Sequence, residues 1–282
     1  MPRATCWKRP ESRANWASND CFRGDRRQGR RVHAGCLPPG AFHLIQPRRG
    51  HRAGMDAMML AASVPGSFAG RLADLGSGAG AAGLAVATRC PDATVALVER
   101  DQEMADYARR SIAHEANAGL RDRASVIEAD VTLTGKARMT AGLADRAFDF
   151  ALMNPPFNAA ADRPSPDALR RSAHVMEDGL FERWLRTAAA IVRPRGGLSI
   201  IARPGSLPEI LAAMQGRFGA AQILPIHPRT HEPAIRILIR ALRGSRAGLT
   251  LMPALAIHEP TGRRFSQQAD AINNGRATLF GD

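Results

Sequence analysis

At 282 residues the chain can bury a substantial core, as one large domain or two small ones. Its 39 lysines and arginines exceed its 26 acidic residues by 39 − 26 = +13, and Lys8 and Lys136 are the only lysines, so the excess is arginine. A pI near 11.2 favours a polyanionic partner, because cations placed on phosphates release condensed counterions. The planar arginine fork also suits phosphate oxygens, although a GC-rich genome would raise arginine in the same way. No run reaches the roughly 20 apolar residues of a membrane span, and no apolar signal core opens the chain. No membrane association is expected, and the expected location is the cytoplasm. Cys6, Cys21, Cys36 and Cys90 form no C-x-x-C pair. His227 and His231 have H-x3-H spacing but lie among Pro225, Pro228 and Pro233, which suits a hairpin turn. Neither a disulfide framework nor a metal site is indicated.

Residues 1–40 lack hydrophobic periodicity. Arg3, Lys8, Arg9, Arg13, Arg23, Arg26, Arg27, Arg30 and Arg31 are set against Glu11, Asp20 and Asp25, the composition of a disordered basic arm. The same stretch reads equally as translated upstream sequence ahead of a non-standard start at Val32. From 41 to 282 one α/β domain is expected. Strands are read at residues 71–75, 94–99, 124–128, 148–153 and 198–203, with helical stretches between them. Asp101 caps a helix whose apolar face is Met104, Tyr107, Ala108 and Ile112. A second helix carries Phe181, Trp184, Leu185, Ala188 and Ile191, closed by Pro194 and a Gly196-Gly197 turn; its stripe reads as core. Residues 222–226 and 235–242 are too close for a crossover helix and must pair antiparallel. Five parallel strands followed by an antiparallel hairpin give a seven-stranded sheet with helices on both faces. A dehydrogenase domain would instead continue in βα units. Residues 249–257 offer one further strand without a fixed place.

The first strand ends in Asp74-Leu75-Gly76-Ser77-Gly78-Ala79-Gly80, a turn into a helix starting near Ala81. Glycines let the backbone approach a ligand and adopt positive φ. The dinucleotide fingerprint requires glycine where Ala81 stands. Pyrophosphate favours a bare helix N-terminus, whereas S-adenosylmethionine has no phosphate and carries an ammonium and a sulfonium, so Asp74 suits the latter. Glu99, at the end of the second strand, is placed for ribose hydroxyls. Asp130, past the third, is placed for an adenine amino group, though aspartate is also common in such turns.

Asn154-Pro155-Pro156-Phe157 follows the apolar run 148–153. An amino group conjugated to a purine or a carbonyl is a poor nucleophile. Two acceptors, the Asn154 side-chain oxygen and the Pro155 carbonyl, can draw its nitrogen toward tetrahedral geometry. Pro155 and Pro156 stiffen the loop, and Phe157 offers a face for stacking on a base. An exposed single-stranded nucleotide is the expected target.

With Gln46-Pro47-Arg48-Arg49-Gly50-His51-Arg52, Asp56 before Leu60-Ala61-Ala62, the Asp74–Gly80 turn, Asn154–Phe157, Ser165-Pro166-Asp167 and Ala173-His174, residues from about 41 onward resemble the bacterial tRNA(Val) adenine-N6 methyltransferase family. This is a "small domain" group of class I methyltransferases. The resemblance implies S-adenosylmethionine as donor and adenine N6 beside a tRNA anticodon as acceptor. It implies cofactor contacts at Asp74, Gly76, Gly78, Glu99 and Asp130, with Gly80 in the same turn and Asp56 near the methionine end. It makes Asn154, Pro155 and Phe157 catalytic, in one loop with Pro156. Arg48, Arg49, Arg52, Arg170, Arg171 and His174 are candidate RNA contacts; His174 reads equally as a helix cap. The same loop type occurs in enzymes methylating guanine N2 in ribosomal RNA or a glutamine amide in proteins. A non-catalytic RNA-binding protein with a methyltransferase shell is a reading of another class, and the oligomeric state stays open.

Overall fold

The computed structural model describes residues 32–36, 42–47, 53–156, 158–159, 175–176 and 179–281. In chain order these form β1 (Val32–Cys36), β2 (His43–Pro47), α1 (Met55–Ala62), β3 (Arg71–Leu75), α2 (Ala81–Arg89), β4 (Thr94–Glu99), α3 (Gln102–Ala113), β5 (Ala124–Glu128), α4 (Gly135–Thr140) and β6 (Phe148–Met153). There follow β7 (Asn158–Ala159), β8 (Val175–Met176), α5 (Leu180–Ile191), β9 (Val192–Ala202), α6 (Leu207–Met214), β10 (Phe218–His227), β11 (Arg236–Arg243), β12 (Thr250–Leu251), β13 (Leu255–Ala256) and α7 (Gln267–Asn273).

The central sheet runs β10-β11-β9-β6-β3-β4-β5, with β12 and β13 added on the outer side of β10. The strands β9, β6, β3, β4 and β5 are parallel, and β11 runs antiparallel between β9 and β10. This is the expected five-plus-hairpin architecture, and the last expected strand is split into β12 and β13. The inner strands are buried on both faces. In β6, Phe150 and Leu152 pack with α1, α2 and α3, while Phe148 and Met153 pack with α5 and α6. Such strands read as near-continuous apolar runs, which is why their limits were visible in the sequence. The Asp101 side chain accepts the Met104 N–H at 3.0 Å and starts α3 as expected.

The order of the strands reverses between β3 and β6. From β3 the chain builds outward through β4 and β5, and from β6 through β9 in the other direction. In open α/β sheets a crevice for ligand forms at the carboxyl ends of the strands at such a switch point.

Two expectations are corrected. The strand read at 198–203 begins at Val192, directly after α5, and runs through Pro194, Gly196 and Gly197, where a turn was expected. Its register explains the misreading. Phe148 pairs with Val192 and Phe150 with Gly197, so the residues between bulge out opposite Asp149. Gly197 is required there, because a Cβ would come 2.2 Å from the Phe150 ring. Inside the stretch read as an irregular arm, Val32–Cys36 is a strand paired antiparallel with β2. Residues 1–31 lie outside the described residues. So do Phe157 and all six candidate RNA contacts: Arg48, Arg49, Arg52, Arg170, Arg171 and His174.

Candidate active site

A cavity of about 640 Å³ opens at the switch point, over the carboxyl ends of β3, β4, β5 and β6. Asp74, Gly76, Gly78, Glu99, Asp130, Asp56, Asn154, Pro155 and Pro156 all line it. Gly80 stands at the N-cap of α2, with φ +91, where a Cβ would lie 2.6 Å from Leu97 Cδ1.

The turn after β3 is fastened to β4. The N–H groups of Gly76 and Ser77 donate to the Val98 carbonyl at 2.8 and 3.0 Å. Glu99 Oε2 accepts the Gly78 N–H and Oε1 the Asp101 N–H, both at 2.8 Å. An ionised carboxylate has about four acceptor sites, so Glu99 retains capacity for hydroxyl donors while bracing the turn.

Asp74 is 2% exposed, and its Oδ2 accepts the Gly83 N–H of α2 at 2.8 Å. Burial raises its carboxyl to about 7; the Gly83 bond opposes that shift and the charge of Glu99 adds to it. Its first role is therefore local, holding α2 against β3.

Asp130 Oδ1 accepts the Thr132 N–H and hydroxyl, each at 2.7 Å, and its Oδ2 lies 3.2 Å from Arg100. Burial would raise this carboxyl, but the Thr132 bonds and Arg100 outweigh it and hold it below its ordinary value. Asp56 Oδ2 lies 2.9 Å from Arg236 Nε, which ties α1 to β11 across the cavity.

Asn154 closes the arrangement. Its Oδ1 is buried and has no hydrogen-bond partner among the described residues, as is true of the Ser77 hydroxyl. A buried orphan acceptor costs about 1–3 kcal/mol, and such an atom at the edge of a cavity marks a place for a donor.

Several lining residues were given no place in the site by the sequence. Trp184 and Leu180 of α5 form one wall, with Trp184 against Gly76; the stripe read as core is core, and Trp184 alone of it also faces the cavity. Gln46 and Pro47 of β2 form another; Gln46 Oε1 accepts the Ala53 N–H at 3.0 Å. These contacts join distant parts of the chain and follow no local pattern.

Among the described residues the lining is acidic within a basic protein: Asp56, Asp74, Glu99, Asp101 and Asp130 are set against Arg100 and Arg236. Such a cavity disfavours pyrophosphate and fits S-adenosylmethionine, with its ammonium and sulfonium. Its volume is also within the range of about 300–1,000 Å³ usual for small-molecule sites. His227 is the last residue of β10, with its Nδ1 2.6 Å from the Glu232 carbonyl in the turn to β11. No helix among the described residues is long and apolar enough to cross a membrane.

Comparison with known proteins gives the family and the fold. The chain is 26% identical over 229 residues to a tRNA1(Val) (adenine(37)-N6)-methyltransferase of Porphyromonas gingivalis, covering 78% of this chain and 87% of that protein. A protein of the same description from Aeromonas hydrophila is 28% identical over 206 residues, covering 72% and 81%. Among solved structures, a predicted O-methyltransferase from Agrobacterium tumefaciens is 48% identical with a TM-score of 0.69, covering 79% of this chain and 97% of that one. A Thermus thermophilus 16S rRNA N2 G1207 methyltransferase, solved with AdoMet and guanosine, shares the fold at a TM-score of 0.52 and 21% identity, covering 75% and 50%. The methyltransferase small domain model matches residues 53–225, more than half of the chain, and includes the glycine turn, Glu99, Asp130 and Asn154. The chain has the class I methyltransferase fold and belongs to the methyltransferase small domain family.

Proposed function

We propose that the chain is an S-adenosylmethionine-dependent methyltransferase acting on adenine N6 of an exposed tRNA nucleotide. The observation that carries the nitrogen assignment is the buried Asn154 Oδ1 at the cavity edge, which has no hydrogen-bond partner among the described residues.

The cofactor, when bound, supplies an electrophilic methyl carried on sulfur. The chain's own residues do the rest. Asp74 and Asp56 present carboxylates at the α1 and α2 side of the cavity, suited to the cofactor's ammonium; Glu99 accepts from ribose hydroxyls, and Asp130 faces the adenine end. Trp184 and the stiff Pro155-Pro156 pair keep the shared space narrow and exclude water. Asn154 Oδ1 accepts one hydrogen of the substrate amino group and the Pro155 carbonyl the other, which aims the nitrogen lone pair into the cavity. No general base is needed before transfer, because the proton leaves from the cationic product.

A hydroxyl acceptor fits less well. It has one hydrogen to give, and an amide side chain cannot remove that proton. Adenine rather than guanine is favoured by the names of the curated relatives. The test is to incubate purified protein with labelled donor and RNA from a strain lacking the gene, then digest to nucleosides. N6-methyladenosine in the tRNA fraction is expected. Label in N2-methylguanosine, in a ribose 2′-O-methyl group or in protein glutamine would overturn the assignment.

A further inference from the structure

The pole of the sheet opposite the cavity carries a row of arginines. Arg71 begins β3, Arg146 precedes β6, Arg193 and Arg195 lie in the β9 bulge, and Arg243 ends β11. Those strands are neighbours in the order β11-β9-β6-β3, so the row follows the rim of the sheet strand by strand. At about 4.8 Å between strands it extends for roughly 15 Å.

Opposing charge is scarce along it. Asp149 is engaged by Arg193 Nε at 2.7 Å, and Asp145 pairs with Arg138. Arg146, Arg195 and Arg243 make no ion pair among the described residues. Beyond β3 the pattern changes: the loop into β4 carries Asp92, and the loop into β5 carries Asp122 between Arg121 and Arg123, whose guanidinium groups donate to the Ala113 and Ala87 carbonyls at 3.0 and 2.7 Å. Arg243 is held below its ordinary value by burial first and then by the neighbouring charge of Arg146, with Asp145 acting in the opposite sense. Two of the arginines also hold left-handed backbone, Arg146 at φ +54 and Arg195 at φ +65. A non-glycine residue there costs about 1–2 kcal/mol. A GC-rich genome accounts for many arginines, but not for like charges gathered on strained turns.

We infer that this arginine rim is a second contact surface for the phosphate backbone of the RNA, on the opposite pole from the cavity. The inference rests on RNA being the substrate. The parallel strands separate rim from cavity by roughly 20 Å, at about 3.3 Å per residue. An RNA long enough to reach both would be held by the rim while one nucleotide enters the cavity. A short stem-loop would occupy the cavity alone. An anionic membrane would also be drawn to such a row; RNA is favoured because the cavity of the same domain is read as taking a nucleotide, and vesicles are one arm of the test.

The experiment uses the full chain with Arg146→Gly and Arg195→Gly combined. Glycine accepts both turns, so charge is removed without loss of fold. A second variant, Arg243→Gln, tests the rim away from those turns. Binding is read by fluorescence anisotropy against bulk tRNA, a short RNA stem-loop and vesicles containing phosphatidylserine, over a range of salt. Because it needs no turnover, this readout is separate from the nucleoside product that tests the proposed activity. The expected result is about a 10-fold or greater rise in Kd for tRNA, with a shallower salt slope by about 0.7–0.9 per lost phosphate contact. Affinity for the stem-loop should be unchanged. Unchanged tRNA affinity and slope would overturn the inference, as would an equal loss on the stem-loop. Arginine-dependent binding to vesicles but not to tRNA would overturn it in favour of a membrane surface.

Discussion

Gly76 lies directly against Trp184: a Cβ built on Gly76 would come 2.4 Å from Trp184 Cη2. The glycine turn and α5 thus share a wall of the cavity, and the absence of one side chain makes room for the other. Gly76→Ala meets both that contact and a φ of +68. Overpacking of this kind costs about 1–3 kcal/mol. Thermal unfolding should show a lowered Tm, and calorimetry a weakened cofactor site. An alanine variant with wild-type Tm and affinity would mean that the wall yields freely.

Asp74 sets a pH dependence. Its carboxyl is raised from 3.8 to about 7, mainly by burial, with the Gly83 N–H opposing and Glu99 adding. Between those values the folded chain holds a proton that the unfolded chain has released. Its contribution to stability is therefore greatest at the acid end of that window and falls as pH rises toward 7. A bound cation favours the ionised form, so cofactor affinity should rise through that range with release of a proton. Calorimetry in buffers of different ionisation enthalpy measures the proton directly. Asp74→Asn should flatten both dependences. Proton release unchanged in the variant would place the titrating group elsewhere.

Glu99 braces the turn with both oxygens, on Gly78 and Asp101. In Glu99→Gln one oxygen becomes an amide donor facing a backbone donor. Hydrogen bonds to charged groups are worth about 1.5–3 kcal/mol, so cofactor Kd should rise roughly 10- to 100-fold. At saturating cofactor, turnover should stay within a few-fold of wild type. A fall in kcat at unchanged Kd would give Glu99 a different role.

Asn154→Ala removes the orphan acceptor without touching the turn. By analogy with loss of one oriented polar group, kcat should fall about 10²-fold or more while cofactor Kd stays nearly constant. Equal losses in both would mean that Asn154 holds the cofactor rather than the substrate. Asn154→Asp keeps an acceptor and should restore part of the rate.

Much of this was legible in the sequence because buried parallel strands carry their own signal. β3, β4, β5 and β6 have the limits that their apolar runs suggest, and motifs at their ends fall at the crevice. The start of β9 was hidden, because Pro194 and Gly196-Gly197 are turn residues that a bulge also uses. Within the site, Asp74, Glu99 and Asp130 were placed from spacing, but their backbone partners Gly83, Gly78, Asp101 and Thr132 were not. Those bonds depend on how turns pack. Trp184 read as core because a helix stripe looks the same whether it faces a sheet or a cavity. The Asp56–Arg236 pair spans 180 residues and follows from topology alone.

The most direct measurement is a crystal structure of the protein with a non-reactive S-adenosylmethionine analogue and an adenosine-containing RNA fragment. Adenine N6 should be hydrogen-bonded to Asn154 Oδ1 and the Pro155 carbonyl, about 3–3.5 Å from the position of the transferable methyl. A base bound with its amino group turned away from Asn154, or an analogue seated outside the Gly76–Glu99 crevice, would contradict it.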